Sequence, residues 1–231
     1  MSPDQSPAAA ASIGAVIARM EEIEATLSPG DGVGYFNRLY LNVTREIRDT
    51  LASTTFEAPV FLDALDVTFA NLYLEAFDAV GTGAECPTAW APLFEHRRRT
   101  HITPIQFALA GMNAHINHDL PLAVITTATE QAVEPFADCP YQRDFFRVND
   151  ALKHVEGKIK SWISVGVVGA VDRALGNVDD ALSMWGIHGA RRAAWDQAAL
   201  FWRLREHPRL LAESERTLAR LVNLAGRGIL V

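Results

Sequence analysis

Apolar residues recur three and four positions apart along most of this chain, a spacing that lines up one face of an α-helix and does not suit a strand. Ile13, Val16, Ile17, Met20, Ile23 and Leu27 predict a first helix over about 12–27, stopped by Ser28-Pro29-Gly30-Asp31-Gly32. Tyr35, Phe36, Leu39, Tyr40, Val43 and Ile47 predict a second helix from Val33, and Pro59 opens a third that reaches Val80 ahead of Gly81-Thr82-Gly83. Further helical stretches are predicted over 89–99, 104–120, 122–134, 150–174, 178–206 and 208–226, with 141–149 short and partly helical. In the last stretch, leucines at 210, 211, 218, 221 and 224 are expected to dock it on the rest. Alternation of strand length is missing throughout. The expected fold is all-α, a single antiparallel bundle-like domain of six to eight helices over residues 12–231, behind a disordered Ser-, Pro- and Ala-rich tail over 1–11.

The stretch over 104–120 departs from this apolar background. Thr103 is placed to cap it, Pro104 suits the first helical position, and Gln106 completes a capping box. At about 100° per residue, Gln106, Asn113 and Asn117 fall on one face while His115 points nearly the opposite way, with His118 and Asp119 on either side of it. The helix therefore carries two polar faces. Ala108, Ala110, Gly111 and Ala114 leave room for close packing between them, and Pro121 should end or kink the helix just after the polar cluster.

Two histidines three apart can aim at one volume, and a carboxylate four from the first can give an oxygen or orient a ring. The candidate metal ligands are His115, His118, Asp119 and Asp66, the last from the third helix, where Asp63, Asp66, Asn71 and Glu75 interrupt a strongly apolar run. Asp66 is the carboxylate expected to meet the histidine helix; Asp63 and Glu75 suit the rim. His188 lies on a later stripe with Trp185, Arg192, Trp195 and Trp202 and could complete a facial triad. This suggests a zinc, iron or manganese enzyme acting on a small molecule, with Asp66, His118 and His188 in catalytic roles. Tyr35, Tyr40, Asn71, Asn113, Asn117, Trp185 and Arg192 are the candidate binding residues. Hydrolysis is favoured, because the second Glu-x-x-His expected of a di-iron bundle is missing. The alternative is a non-catalytic ligand-binding or scaffold protein in which the same residues form a buried His/Asn/Asp network.

Composition narrows the class. With 231 residues, 49% of them apolar, the chain can build a sizeable core. A formal charge of −7 argues against a nucleic-acid binder; Glu95-His96-Arg97-Arg98-Arg99 is one basic turn with no groove around it. Val165-Gly-Val-Val-Gly lacks the dinucleotide fingerprint. Cys86 and Cys139 are too few for a disulfide framework or a cysteine zinc site. No signal peptide or membrane span is evident, so a cytoplasmic protein is expected.

Tyr35-Phe-Asn-Arg-Leu-Tyr-Leu, Leu65-Asp-Val-Thr-Phe-Ala-Asn-Leu-Tyr and Gln106-Phe-Ala-Leu-Ala-Gly-Met-Asn-Ala-His-Ile-Asn-His-Asp-Leu-Pro together resemble the DUF5995 family of uncharacterised actinobacterial helical proteins, over about residues 30–205. The resemblance implies a bacterial cytosolic setting and favours Asp66, Asn71, Asn113, His115, Asn117, His118 and Asp119 as the residues to test. It carries no chemistry of its own.

Overall fold

The computed structural model describes residues 8–136, 138–150, 152 and 186–231, and among them every regular element is a helix. The first is α1 (Ile13–Thr26), capped by the Ser12 hydroxyl on the Ala15 N–H. Asp31 caps α2 (Gly32–Ser53) through Val33 N–H, and Arg97 grips the same carboxylate with Nε at 2.9 and 3.0 Å. One arginine of the basic turn is thus a structural clamp. Pro59 begins α3 (Pro59–Thr82), which Gly83 ends in the left-handed conformation at φ 78°.

A short α4 (Ala91–His96) leads into α5 (Pro104–Ala114). Gln106 Oε1 accepts from both the N–H and the hydroxyl of Thr103, as the local spacing predicts. Pro121 does not end the helix. His115–Asp119 forms a single π-helical turn that hands over to α6 (Leu120–Glu130) without a break. The wider turn carries an i→i−5 bond from Leu120 N–H to His115 O, and this loosening accommodates the proline that would clash in a tight α-helix.

Residues 140–150 form α7, helical throughout rather than partly. Of the helix expected over 178–206, residues 178–185 lie outside the described residues; Gly186 stands outside helical conformation at φ −47°, ψ 96°, and α8 runs over Ile187–Leu204. The last helix, α9, spans Pro208–Ile229. Its leucines do not all dock, since Leu210, Leu221 and Leu224 are exposed while Val222 and Gly226 form the buried line. Most of the helix predicted over 150–174, the glycine pair beyond Val165, the cap at Asn177 and Trp185 lie outside the described residues.

Two apolar clusters make up the core. One gathers Val16, Met20, Phe36, Tyr73, Trp90 and Phe107 around α1, α2 and α5; the other gathers Phe61, Leu65, Leu120, Val124, Phe145 and Trp195 around α3, α6 and α8. α5 packs on α2 and α9, whereas α6 packs on α3 and α8, so the π turn lies where one helix passes from the first cluster to the second. The crossing of α2 and α5 is tight: a Cβ on Gly111 would come within 2.3 Å of the Phe36 ring.

Among the described residues no helix is long and apolar enough to cross a membrane. At the N-terminal end, both amide groups of Asn71 pair with the backbone of Ala10, at 2.9 and 3.0 Å, and fasten the segment ahead of α1 to α3.

Candidate functional site

The π turn separates the two polar faces of the central helix. On one face Gln106 donates to the carbonyls of Ile229 and Val231, Asn113 donates to the carbonyl of Val222, and Asn117 donates to Asn113 Oδ1. This face holds α9 in place.

The opposite face converges on Asp119. Its Oδ2 accepts from His115 Nδ1 at 3.2 Å and from the Trp90 indole at 2.9 Å, and its Oδ1 accepts from His118 Nδ1 at 2.8 Å. Burial alone would push this carboxyl up, but the hydrogen bonds from His115 and His118 outweigh it and hold the group below the usual aspartate range. An ionised carboxylate can only accept, so both imidazoles present N–H at Nδ1. Burial also pushes His115 below the ordinary histidine value, with Asp119 opposing the shift. His115 is therefore neutral, with its proton on Nδ1 and a bare lone pair on Nε2.

That Nε2 is buried and has no hydrogen-bond partner. His115 itself is 2% exposed. Its ring stacks on Phe69 and meets the Tyr40 ring edge-on at 4.4 Å between centroids. It also borders a cavity of about 100 Å³ at the seam between the two core clusters. Leu39 and Val43 of α2, Leu65 and Phe69 of α3, Met112 of α5 and Ile116 of the π turn supply apolar wall. Among the described residues, the polar ones lining it are Tyr40, Thr44, Asp66, His115 and Arg191.

Asp66 and Arg191 bring an acid and a base to this cavity. Burial pushes the Asp66 carboxyl up to about 7, while the Arg191 guanidinium opposes the shift and Asp63 adds to it. Burial brings Arg191 down to about 10, with Asp66 opposing. Arg191 is held rigidly, donating from Nε to Asn149 Oδ1 at 2.7 Å and to the Phe145 carbonyl at 3.0 Å, with its guanidinium 4.2 Å above the Phe145 ring centroid. The Tyr40 hydroxyl is raised by burial and then by the charge of Asp66, with the Thr44 hydroxyl acting in the opposite direction.

The family described as "Family of unknown function (DUF5995)" matches residues 13–231. The chain belongs to the DUF5995 family. The match extends beyond the 30–205 span of the resemblance at both ends. No curated protein and no solved structure matches it.

In this DUF5995 chain the residues singled out by sequence part into three groups. His115, Asp66 and Tyr40 meet at the cavity, with His118 and Asp119 behind His115. Asn113 and Asn117 serve the α9 contact, Asn71 holds the N-terminal segment, and Tyr35 stacks on Phe107 at 6.2 Å. His188 is half-buried away from the cavity lining, and Arg192 is exposed with its guanidinium over Phe146. The arginine that faces the cavity is Arg191, one position earlier. Trp90, the third donor to Asp119, lies outside every polar motif and gives no signal in the sequence beyond the general rule that a buried indole N–H finds an acceptor. Among the described residues no group of three or more His, Cys, Asp or Glu side chains is arranged to hold a metal ion.

Proposed function

We propose that this DUF5995 protein is a non-catalytic receptor for a small, mostly apolar molecule, which it binds in the cavity between the two core clusters. The observation that carries this is His115 Nε2, a buried acceptor with no partner, on a ring fixed by Asp119 and Phe69 and bordering open volume. Leaving such a group unsatisfied costs about 1–3 kcal/mol, so a site that keeps it in one orientation favours a ligand that can meet it. The rest of the wall is largely aliphatic and aromatic with a few polar groups, as small-molecule sites are. A metal centre on His115, His118 and Asp119 would have to take Asp119 away from its three donors, which weighs toward the receptor.

Benzene serves as a general probe of the cavity. On titration, the side-chain NMR signals of Val43, Leu65 and Met112 are expected to move together, and the melting temperature to rise with benzene concentration. Val43→Phe, which fills the volume, should abolish both responses. Equal responses in wild type and Val43→Phe would place binding elsewhere and remove the proposal.

A further inference from the structure

The cavity also constrains the chemistry of its ligand, an inference that rests on the receptor proposal. Three features act together. The first is the hydrogen-bond sense of His115: burial favours the neutral ring and Nδ1 donates to Asp119, so the partnerless Nε2 accepts, and a ligand must bring an N–H or O–H to it. A ligand presenting only a carbonyl or ether oxygen there would set one lone pair against another.

The second is charge. Among the described residues Asp66 and Arg191 are the carboxyl and guanidinium lining the cavity. Burial lets Asp66 keep its proton up to about 7, and Arg191 carries its charge with two donors spent on Asn149 and the Phe145 carbonyl. A cationic amine entering here would meet the like charge of the guanidinium, and a carboxylate would bring only acceptors to the acceptor on His115. A neutral ligand avoids this.

The third is size and shape. A volume of about 100 Å³ admits on the order of six heavy atoms, since a dry cavity only somewhat larger holds a benzene ring. Phe36, Tyr40 and Phe69 provide aromatic wall beside His115.

We infer that the ligand is a small neutral hydroxyl compound, a phenol or a short-chain or cyclic alcohol, whose hydroxyl donates to His115 Nε2 while its hydrocarbon body fills the cavity. The same hydroxyl oxygen keeps its lone pairs for Tyr40 or Thr44, which line the same cavity.

Four probes of about six or seven heavy atoms separate the possibilities by calorimetry near neutral pH: phenol, benzene, piperidinium and cyclopropanecarboxylate. Phenol is expected to bind about tenfold tighter than benzene, the gain of one net hydrogen bond, and both charged compounds more weakly than benzene. With ¹⁵N-labelled histidine, the His115 Nε2 resonance should shift when phenol binds and stay in place with benzene. His115→Phe should bring phenol and benzene to the same affinity; should that variant not fold, the nitrogen resonance of the wild-type protein decides. Benzene binding as tightly as phenol, a charged probe binding tightest, or an unmoved Nε2 signal at saturating phenol would each overturn the hydroxyl inference while leaving the receptor intact. Absence of binding by all four would remove both.

Discussion

The imidazole of His115 lies face to face on the ring of Phe69, with centroids 3.6 Å apart and planes 6° from parallel. Phe69 sits one turn beyond Asp66 on α3, so the same helix turn supplies a floor for the imidazole and a carboxyl for the cavity. Phe69→Leu keeps an apolar side chain but removes the stack. It is expected to destabilise the protein by about 1–2 kcal/mol, read from the urea midpoint, and to broaden the His115 ring signals as the imidazole gains freedom. A ring that stays sharp would show that Asp119 alone holds it.

The Asp119 hub predicts a graded series. Trp90→Phe removes one donor while preserving aromatic volume, and should cost about 1–3 kcal/mol; Asp119→Leu removes the acceptor from three donors and should cost more than Trp90→Phe. Chemical denaturation of the two variants beside wild type checks the order. The reverse order would mean that the indole contributes by packing rather than through its N–H.

Asp66 gives a pH dependence with a definite sign. Unfolded, its carboxyl ionises near about 4; folded, it keeps its proton up to about 7. Between these values the folded state binds more protons, so this group lowers stability as pH rises through the window. Asp66→Asn cannot titrate. Its stability relative to wild type should climb by about 1 kcal/mol or more from pH ~4 to pH ~7 and level off above, measured by urea denaturation across that range. A difference that stays flat would place the carboxyl in open solvent.

His115 acts in the opposite direction. Its folded pKa lies below the ordinary value near 6.5, so acidification charges the unfolded imidazole first. Stability contributed by the neutral ring is therefore complete above about 6.5 and is lost as pH falls through the folded value. The His115 ring protons should hold constant shifts through pH ~6.5 in an NMR titration, and a midpoint at that pH would contradict the buried, neutral tautomer.

Packing at the α2–α5 crossing is tested by glycine. Gly111→Ala drives a methyl into Phe36 and is expected to cost about 1–3 kcal/mol, whereas Gly189→Ala on α8, where a Cβ meets nothing within 4 Å, should gain a few tenths. Thermal melts of the two variants suffice. Equal and small effects would show that the two helices can move apart freely.

Local signals carried much of the fold and part of the site into the sequence. Thr103 with Gln106, and the prolines at 59, 104 and 208, mark helix starts because the chemistry involved spans only a few residues. The separation of Asn113 and Asn117 from His115 follows from helical period alone. The rest needed phase or distance. The stripe through Trp185, His188 and Trp195 points to Arg192, whereas α8 begins after Gly186 and buries Ile187, Arg191, Ala194 and Ala198. Leu210, Leu221 and Leu224 lie on one flank of a broad apolar face of α9, and the spacing does not say that the opposite flank, with Val222 and Gly226, is the one that docks. Trp90 meets Asp119 from 29 residues away, and Ala10 meets Asn71 from 61, separations that no local pattern encodes.

The turn from His115 to Asp119 takes about one residue more to close than an α-helical turn, so it absorbs an added residue and leaves the flanking helical segments in phase. A residue added or removed within the regular α-helical part of α5 or α6 would instead rotate everything after it by about 100°. Gln106 and Asn113 could then keep their hold on α9, or Ala123 and Val124 could keep facing α3 and α8, but not both. The five residues that orient the imidazole are therefore also the one place in this helix where a change of a single residue can be taken up, so natural length variation in this family should fall in this turn or in the connections between helices and stay out of the α-helical turns on either side.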